Sequence, residues 1–343
     1  MAKPRIALVV GNGLSMSFGK HSGLSEKWNS QSPLGWEIDC PQNGGPFLNQ
    51  LPLLSKLQQA FPNTADFEIF KKLQDTELCE KLGINPGKCL IEARHYLTIA
   101  FSKLANLQLE NFDKDWGWFK WLEIHKDNLS CVFSLNYDLL IEHCLDISKV
   151  HHTYYESNGP HHGIPVAKPH GSVNFEMRGV FAPTVYPIRS WCTTNNMPMF
   201  KIQNDELLKP RLEPLCVAPN EASKYLDHQW VTPIKNSFIS NLRQCTHCIF
   251  IGISYFECDR AELDEIINAI PKESQIVVAN PAPPADFIKA LGSRPTIYWK
   301  SYNSPLRDET NQPMLLKDAR TGELLRRCFC NSGISYQYCH SIQ

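Results

Sequence analysis

Short apolar runs, each followed by a polar turn and then an amphipathic stretch, recur along the chain. The first run, residues 6–10 (IALVV), is too short for a helix core and predicts a strand buried on both faces of a parallel sheet. Similar runs stand at 129–135, 247–253, 274–279 and 295–299. Residues at helical spacing follow several of these runs, at 139–145, 259–270 and 284–291. Alternating strands and helices are typical of βαβ units, so the pattern predicts an α/β fold with a Rossmann-like parallel sheet.

Three other segments do not fit this alternation. Residues 48–127 carry four stretches of helical periodicity and predict an all-helical insertion between the first two strands. Residues 20–47 are rich in Gly, Ser, Pro and Asn, which predicts a long irregular loop, either a lid over a ligand or a plain surface excursion. Residues 147–246 are irregular and proline-rich, with a short strand leading to His170, a turn at Gly171 and Ser172, and a helix within 221–244.

Composition narrows the class of protein. The 343 residues can bury one large core, either alone or with a smaller appended unit. A formal net charge of −1 disfavours general nucleic-acid binding. No apolar run approaches the ~20 residues needed to cross a bilayer, which predicts a cytoplasmic protein without a membrane anchor. Most of the 13 cysteines stand singly in apolar contexts. The pair Cys245 and Cys248 has zinc-ligand spacing, but packing in the core is the favoured interpretation.

Polar residues follow the predicted strands at the points where each strand ends. They are Gly11, Asn12, Gly13 and Ser15 after the first strand, Asn136 and Asp138 after the second, His170 and Gly171, Gly252 and Ser254, and Asn280. The carboxyl ends of parallel strands form the edge where α/β proteins bind ligands. The first loop could bring backbone N–H groups against a phosphate, or it could be a tight turn without a ligand. A dinucleotide fingerprint would need glycine at position 16, which is Met16.

In this order the motifs resemble the sirtuin-like superfamily, particularly the bacterial sirtuin-like NAD hydrolase domains of anti-phage defence systems. The resemblance covers about residues 4–300 and implies the fold of that superfamily. It implies that Gly11, Asn12, Gly13 and Ser15 form a phosphate-binding loop, and that Asn136, Asp138 and His170 are catalytic. It also implies that Gly171, Gly252, Ser254 and Asn280 line the site, with Asn280 at the adenosine ribose.

The chemistry of these residues suits cleavage of the bond between nicotinamide and ribose. That reaction has an oxocarbenium-like transition state, and a histidine can act as its base near neutral pH. Deacylating sirtuins carry an I-P-D-F-R segment and two C-x-x-C zinc pairs, whereas this chain has GKHSGLSEKW after its glycine loop and one C-x-x-C. NAD hydrolysis is therefore favoured over protein deacylation. Binding of NAD or ADP-ribose without cleavage, in a regulatory subunit, is the main alternative.

The C-terminal residues predict a separate metal site. Cys328, Cys330, Cys339 and His340 are four soft ligands within thirteen residues, which suits a tetrahedral structural zinc. The segment resembles the SEC-C motif, a small zinc hook. The predicted organisation is a domain at 1–300, a linker at 301–322 and the zinc hook at 323–343, with a docking role for the hook.

An enzyme that depletes cellular NAD must be held inactive in healthy cells. No sensor domain is evident in the sequence, so we expect control through a homo-oligomer or a separately encoded sensor or regulatory protein. No segment predicts direct binding to nucleic acid.

Overall fold

A computed structural model describes residues 4–28, 34, 37–41, 43–64, 67–154, 163–177, 199–211, 213–218 and 230–299. Its centre is a seven-stranded sheet in the order β10-β9-β8-β1-β2-β4-β3, in which every paired strand is parallel. The strands are β1 (Ile6–Val10), β2 (Leu129–Ser134), β3 (His152–Thr153), β4 (Ile164–Ala167), β8 (His247–Ile251), β9 (Gln275–Ala279) and β10 (Thr296–Trp299). The predicted Rossmann-like parallel sheet is confirmed.

Strand β1 lies at the middle of the sheet, between β2 and β8. All five of its residues are buried, as expected for a strand covered on both faces. Phe133 on β2 packs against Phe238 of a helix on one face of the sheet. On the other face, Leu8 and Ile251 line one cavity together with Trp116, Trp118 and Trp121. Helices therefore cover both faces, and the strand ends are left for the site.

The helices largely match the helical periodicity of the sequence. They are α1 (Asn12–Ser22), α2 (Pro52–Ala60), α3 (Thr76–Leu82), α4 (Pro86–Glu110), α5 (Gly117–His125), α6 (Leu140–Ile147), α7 (Val231–Leu242), α8 (Glu257–Ala269) and α9 (Ala285–Leu291). The stretch before α3 is a 3-10 helix, Glu68–Gln74. It is separated from α3 at Asp75, whose side chain caps α3 by accepting a hydrogen bond from Leu78 N.

The insertion divides between two cores. Helices α2, α3 and α4 pack in a cluster with residues of a small antiparallel sheet, whereas α5 joins the core of the large sheet through Trp118 and Trp121. The small sheet has the order β6-β5-β7 and consists of β5 (Gly171–Met177), β6 (Met199–Lys201) and β7 (Pro214–Cys216). The described parts of 147–246 therefore contain more strand than the sequence predicts.

Two details of the predicted elements change. Strand β4 ends at Ala167, so His170 lies in the turn after it, and Gly171 and Ser172 both belong to β5 and not to that turn. Gly171 has a φ of +85°, and a Cβ there would lie 1.8 Å from Leu215 O, so only glycine fits the position. The predicted linker at 301–322 and the predicted zinc ligands Cys328, Cys330, Cys339 and His340 lie outside the described residues.

Candidate functional site

The glycine loop after β1 packs backbone to backbone against the end of β8. Gly11 N donates to Ile251 O at 2.9 Å, and Gly13 N donates to Gly252 O at 3.1 Å. A Cβ on Gly13 would lie 2.4 Å from Gly252 Cα, and Gly252 has a φ of +61°. Glycine is therefore required at both positions by the contact between the loops, whether or not a ligand binds.

Helix α1 begins within this contact, at Asn12. Its N-cap is Gly11, whose extended backbone supplies no side-chain cap, so the positive end of the helix faces the carboxyl edge of the sheet. Asn12 and Gly13 are half-buried at this end, while Ser15 points into the protein and is buried. Such a helix start is suited to an anionic group.

Asn136, Ser15 and Asp138 form one buried hydrogen-bond network. The Asn136 side-chain amide donates to Gly11 O at 3.1 Å and to Ser15 Oγ at 3.2 Å. Ser15 Oγ in turn donates to Asp138 Oδ2. The structure thus joins the residues that follow β1 and β2, as the parallel sheet predicts.

Asp138 also has a local structural role. Its Oδ1 accepts a hydrogen bond from Leu140 N at 3.1 Å, at the start of α6. Burial raises the pKa of Asp138 above its ordinary value, although the hydrogen bond from Ser15 and the charge of Lys168 act in the opposite direction. Asp138 therefore fixes the loop that carries Asn136.

Lys168 is a buried residue of the site that the sequence did not indicate. Its Nζ lies 2.7 Å from Glu142 Oε1 on α6, and it donates to Asp138 O at 2.6 Å and to Ser172 Oγ at 2.9 Å. The lysine side chain is fully buried and the glutamate nearly so. Through these contacts Lys168 ties helix α6 and the loop after β2 to the turn that carries His170.

His170 faces two carboxylates of α8. Its Nε2 lies 3.0 Å from Glu262 Oε2, and its Nδ1 lies 3.9 Å from Asp259 Oδ1. Burial lowers the pKa of His170, but the hydrogen bond and charge of Glu262 and the charge of Asp259 outweigh it, and the net pKa is raised. The sequence pattern missed both acids because they stand 89 and 92 residues after His170, in an amphipathic helix whose acids look solvent-facing.

Asn280 holds the segment after β8. Its Nδ2 donates to Ile253 O at 2.9 Å, and its Oδ1 accepts from Ala282 N at 3.0 Å. Ser254 is half-buried next to Ile253. In this structure, therefore, Asn280 shapes the Gly252–Ser254 segment.

Metal and membrane features give no further site in the described part of the chain. Within the described ranges, no three His, Cys, Asp or Glu side chains come together as a metal site. Cys245 and Cys248 are both buried thiols, Cys248 within β8. None of the described helices is both long enough and apolar enough to cross a bilayer.

Comparison with known proteins returns matches only among solved structures. No protein-family model matches the sequence, and no curated protein matches it. One match, a structure on sirtuin substrate affinity, is 11% identical with a TM-score of 0.39 and covers 93% of this chain and 92% of that chain. A Sir2 homologue in complex with 2'-O-acetyl ADP ribose is 12% identical, with a TM-score of 0.40 and 88% coverage of both chains. A Sir2 structure with a p53 peptide and NAD+ is 14% identical, with a TM-score of 0.32, covering 88% of this chain and 90% of that one. At TM-scores below 0.5 these likenesses carry no argument about activity, so the function is inferred from the site itself.

Proposed function

We propose that the chain binds NAD at the carboxyl edge of the large sheet and hydrolyses its nicotinamide–ribose bond, releasing nicotinamide and ADP-ribose. The observation that carries the proposal is the arrangement around His170. A buried histidine with a carboxylate partner lies in the turn that Lys168 ties to the loop of Asn136 and Asp138, and that loop bonds to the start of α1. A helix start of the kind that binds anions and a histidine that can act as a base thus lie at one edge of the sheet.

The phosphates are assigned to the start of α1. There the helix N-terminus carries partial positive charge beside Asn12, Gly13 and the Gly252 backbone. Ser254 and Asn280, on the neighbouring segments, are assigned to the ribose and adenosine side. Asn136 and Asp138 would hold the nicotinamide ribose side of the site, close to Ser15.

Hydrolysis needs one base and no general acid. The nicotinamide ring of NAD is already cationic, so it leaves with the electron pair of the breaking C–N bond and becomes neutral. Water forms the new bond to the ribose carbon and gives up a proton, which His170 accepts. Overall, NAD+ and water yield nicotinamide, ADP-ribose and one proton.

The test is direct measurement of nicotinamide released from NAD by the purified protein. Wild-type protein, alone or with an activating partner, is expected to release nicotinamide in step with NAD loss. His170→Ala and Asn136→Ala are expected to lower the rate by ~10²-fold or more, with unchanged circular dichroism. A His170→Ala variant with full activity would remove the proposed mechanism.

The main alternative is an NAD or ADP-ribose binder that does not cleave its ligand. One observation favours it: the Asn136 amide and the Asp138 carboxylate are both engaged in bonds to the protein itself. Calorimetry showing tight NAD binding without nicotinamide release would support this function. Protein deacylation, a third possibility, is recognised by nicotinamide release that depends on an acetylated peptide.

The biological role that we propose is depletion of NAD during anti-phage defence, on the basis of the sequence resemblance. Control would come from a homo-oligomer or a separately encoded partner, and the C-terminal residues would bind one structural zinc for docking. Loss of cellular NAD on phage infection, with and without neighbouring genes, tests the role. Metal analysis of wild-type protein and of a Cys328→Ser variant tests the zinc.

A further inference from the structure

Helix α8 presents two acidic side chains to His170. Asp259 and Glu262 are three residues apart and so lie on the same face of the helix. Their carboxylates approach the two ring nitrogens of His170, Glu262 at hydrogen-bond distance and Asp259 at 3.9 Å. The side chains of His170, Asp259 and Glu262 are 9%, 11% and 5% exposed, so the cluster is largely shielded from bulk water.

The placement of these two acids differs from that of the other acids on α8. Glu257 is largely exposed, and Glu265 is half-exposed and pairs with Lys235 at 2.9 Å. Asp264 is half-buried and accepts a hydrogen bond from Tyr255 Oη. Asp259 and Glu262 instead share the buried face of the helix with apolar residues such as Leu263. A carboxylate is costly to bury unless it is paired, and His170 is the partner that Glu262 has at 3.0 Å.

We propose that Glu262 is the positioning residue of the base, an inference that rests on the proposed NAD hydrolysis. In the neutral ring, Nε2 carries the proton donated to Glu262, and Nδ1 is the nitrogen that accepts the proton from water. The Glu262 carboxylate then stabilises the imidazolium that forms, while Asp259 adds negative charge at longer range. Glu262 takes no proton itself, and His170 releases its proton to solvent after ADP-ribose is formed.

The charges around His170 set the expected pH dependence. Glu262 and Asp259 both favour the charged imidazolium, so the base is neutral only at a higher pH than an ordinary histidine. Cys258, whose thiol contacts Asp259 at 3.4 Å, has a pKa raised by burial to about 12 and stays neutral in this range. The rate should therefore rise with pH through the raised pKa of His170.

The experiment compares pH–rate profiles for NAD hydrolysis by wild-type protein, Glu262→Gln and Asp259→Asn. Glutamine keeps the shape of the side chain but removes its charge. We expect Glu262→Gln to lower kcat on the high-pH plateau ~10- to 100-fold with little change in KM, and to move the acid limb to lower pH. Asp259→Asn should move the limb less. The control is Glu265→Gln on the same helix, which should match the wild type.

The outcomes separate this inference from the proposed function. If wild-type protein releases nicotinamide and Glu262→Gln leaves both plateau and limb unchanged, the positioning role is wrong while hydrolysis stands. A rate increase in Glu262→Gln also overturns it, because the acid would then hold His170 in an inactive charged form. If no NAD is cleaved, the proposed function fails. In that case the pairing of His170 with Glu262 is tested by NMR titration of His170, whose signal is assigned with the His170→Ala variant. If the pKa of His170 is the same in Glu262→Gln as in the wild type, the pairing is refuted.

Discussion

The contact between the glycine loop and the end of β8 predicts that alanine substitutions at two glycines of the same helix change stability in opposite directions. Gly13 and Gly19 both lie in α1, where alanine is intrinsically the better helix former. A Cβ on Gly13 would meet Gly252 Cα at 2.4 Å, a backbone atom that cannot rotate away. A Cβ on Gly19 would meet Ser25 N at 3.5 Å, an ordinary contact.

The two substitutions are expected to change the free energy of unfolding in opposite directions. Gly19→Ala should raise the free energy of unfolding by ~0.5–1 kcal/mol through helix propensity. For Gly13→Ala the same gain is opposed by forced separation of two packed backbones, for which overpacking typically costs about 1–3 kcal/mol and a clash with backbone lies at the upper end. A net loss of ~2 kcal/mol corresponds to a fall of about 3 °C in Tm for a chain of this size.

The assay is thermal unfolding of the two variants and the wild type in one buffer without NAD. The predicted order of Tm is Gly19→Ala, then wild type, then Gly13→Ala. If Gly13→Ala is as stable as Gly19→Ala, the loops do not pack as described. In that case the glycine would be needed only for the ligand, and the variant would lose NAD binding alone.

Two further predictions concern buried charge. Lys168→Met should lower the free energy of unfolding by about 3–5 kcal/mol, because Glu142 is left as an unpaired buried carboxylate. In urea unfolding, the double variant Lys168→Met/Glu142→Gln should recover much of that loss. If the losses of the two single variants simply add, the pairing is contradicted. Burial lowers the pKa of His125 to about 4, so the unfolded chain takes up a proton below its ordinary pKa of 6.5 while the folded chain does not. The free energy of unfolding should therefore fall from pH 6.5 towards pH 4, and His125 should account for a loss of about 2 kcal/mol at pH 5 relative to pH 7. Urea unfolding at the two pH values should show that His125→Phe lacks this loss.

Five strands of the large sheet, β1, β2, β8, β9 and β10, were predictable because each is a short apolar run. Strand β3 was not, because it is only the two-residue segment His152–Thr153. Residues 6–10 became a strand with those bounds, and 247–253 and 274–279 became strands within a residue or two of the expected ends. The antiparallel sheet was not predictable from the sequence, because β6 and β7 have three residues each and are defined by pairing with β5. A segment that short has no periodicity to detect.

The candidate site divides in the same way. Asn136 and Ser15 could be placed together because strand order brings the ends of β1 and β2 to one edge. The places of Lys168 and Glu262 in the site could not be predicted, because a charged residue in a loop or on a helix normally faces water. Their burial follows from tertiary contacts with Glu142 and His170 that have no local signature.

Nicotinamide release from NAD by wild-type protein and by His170→Ala tests the central claim most directly, with NAD binding measured on the same samples by calorimetry. The proposed hydrolysis predicts stoichiometric release of nicotinamide and ADP-ribose by the wild type. It also predicts a rate at least ~10²-fold lower in the variant with NAD affinity retained. Equal rates in the two proteins, or tight binding without any release under every activating condition, would contradict it.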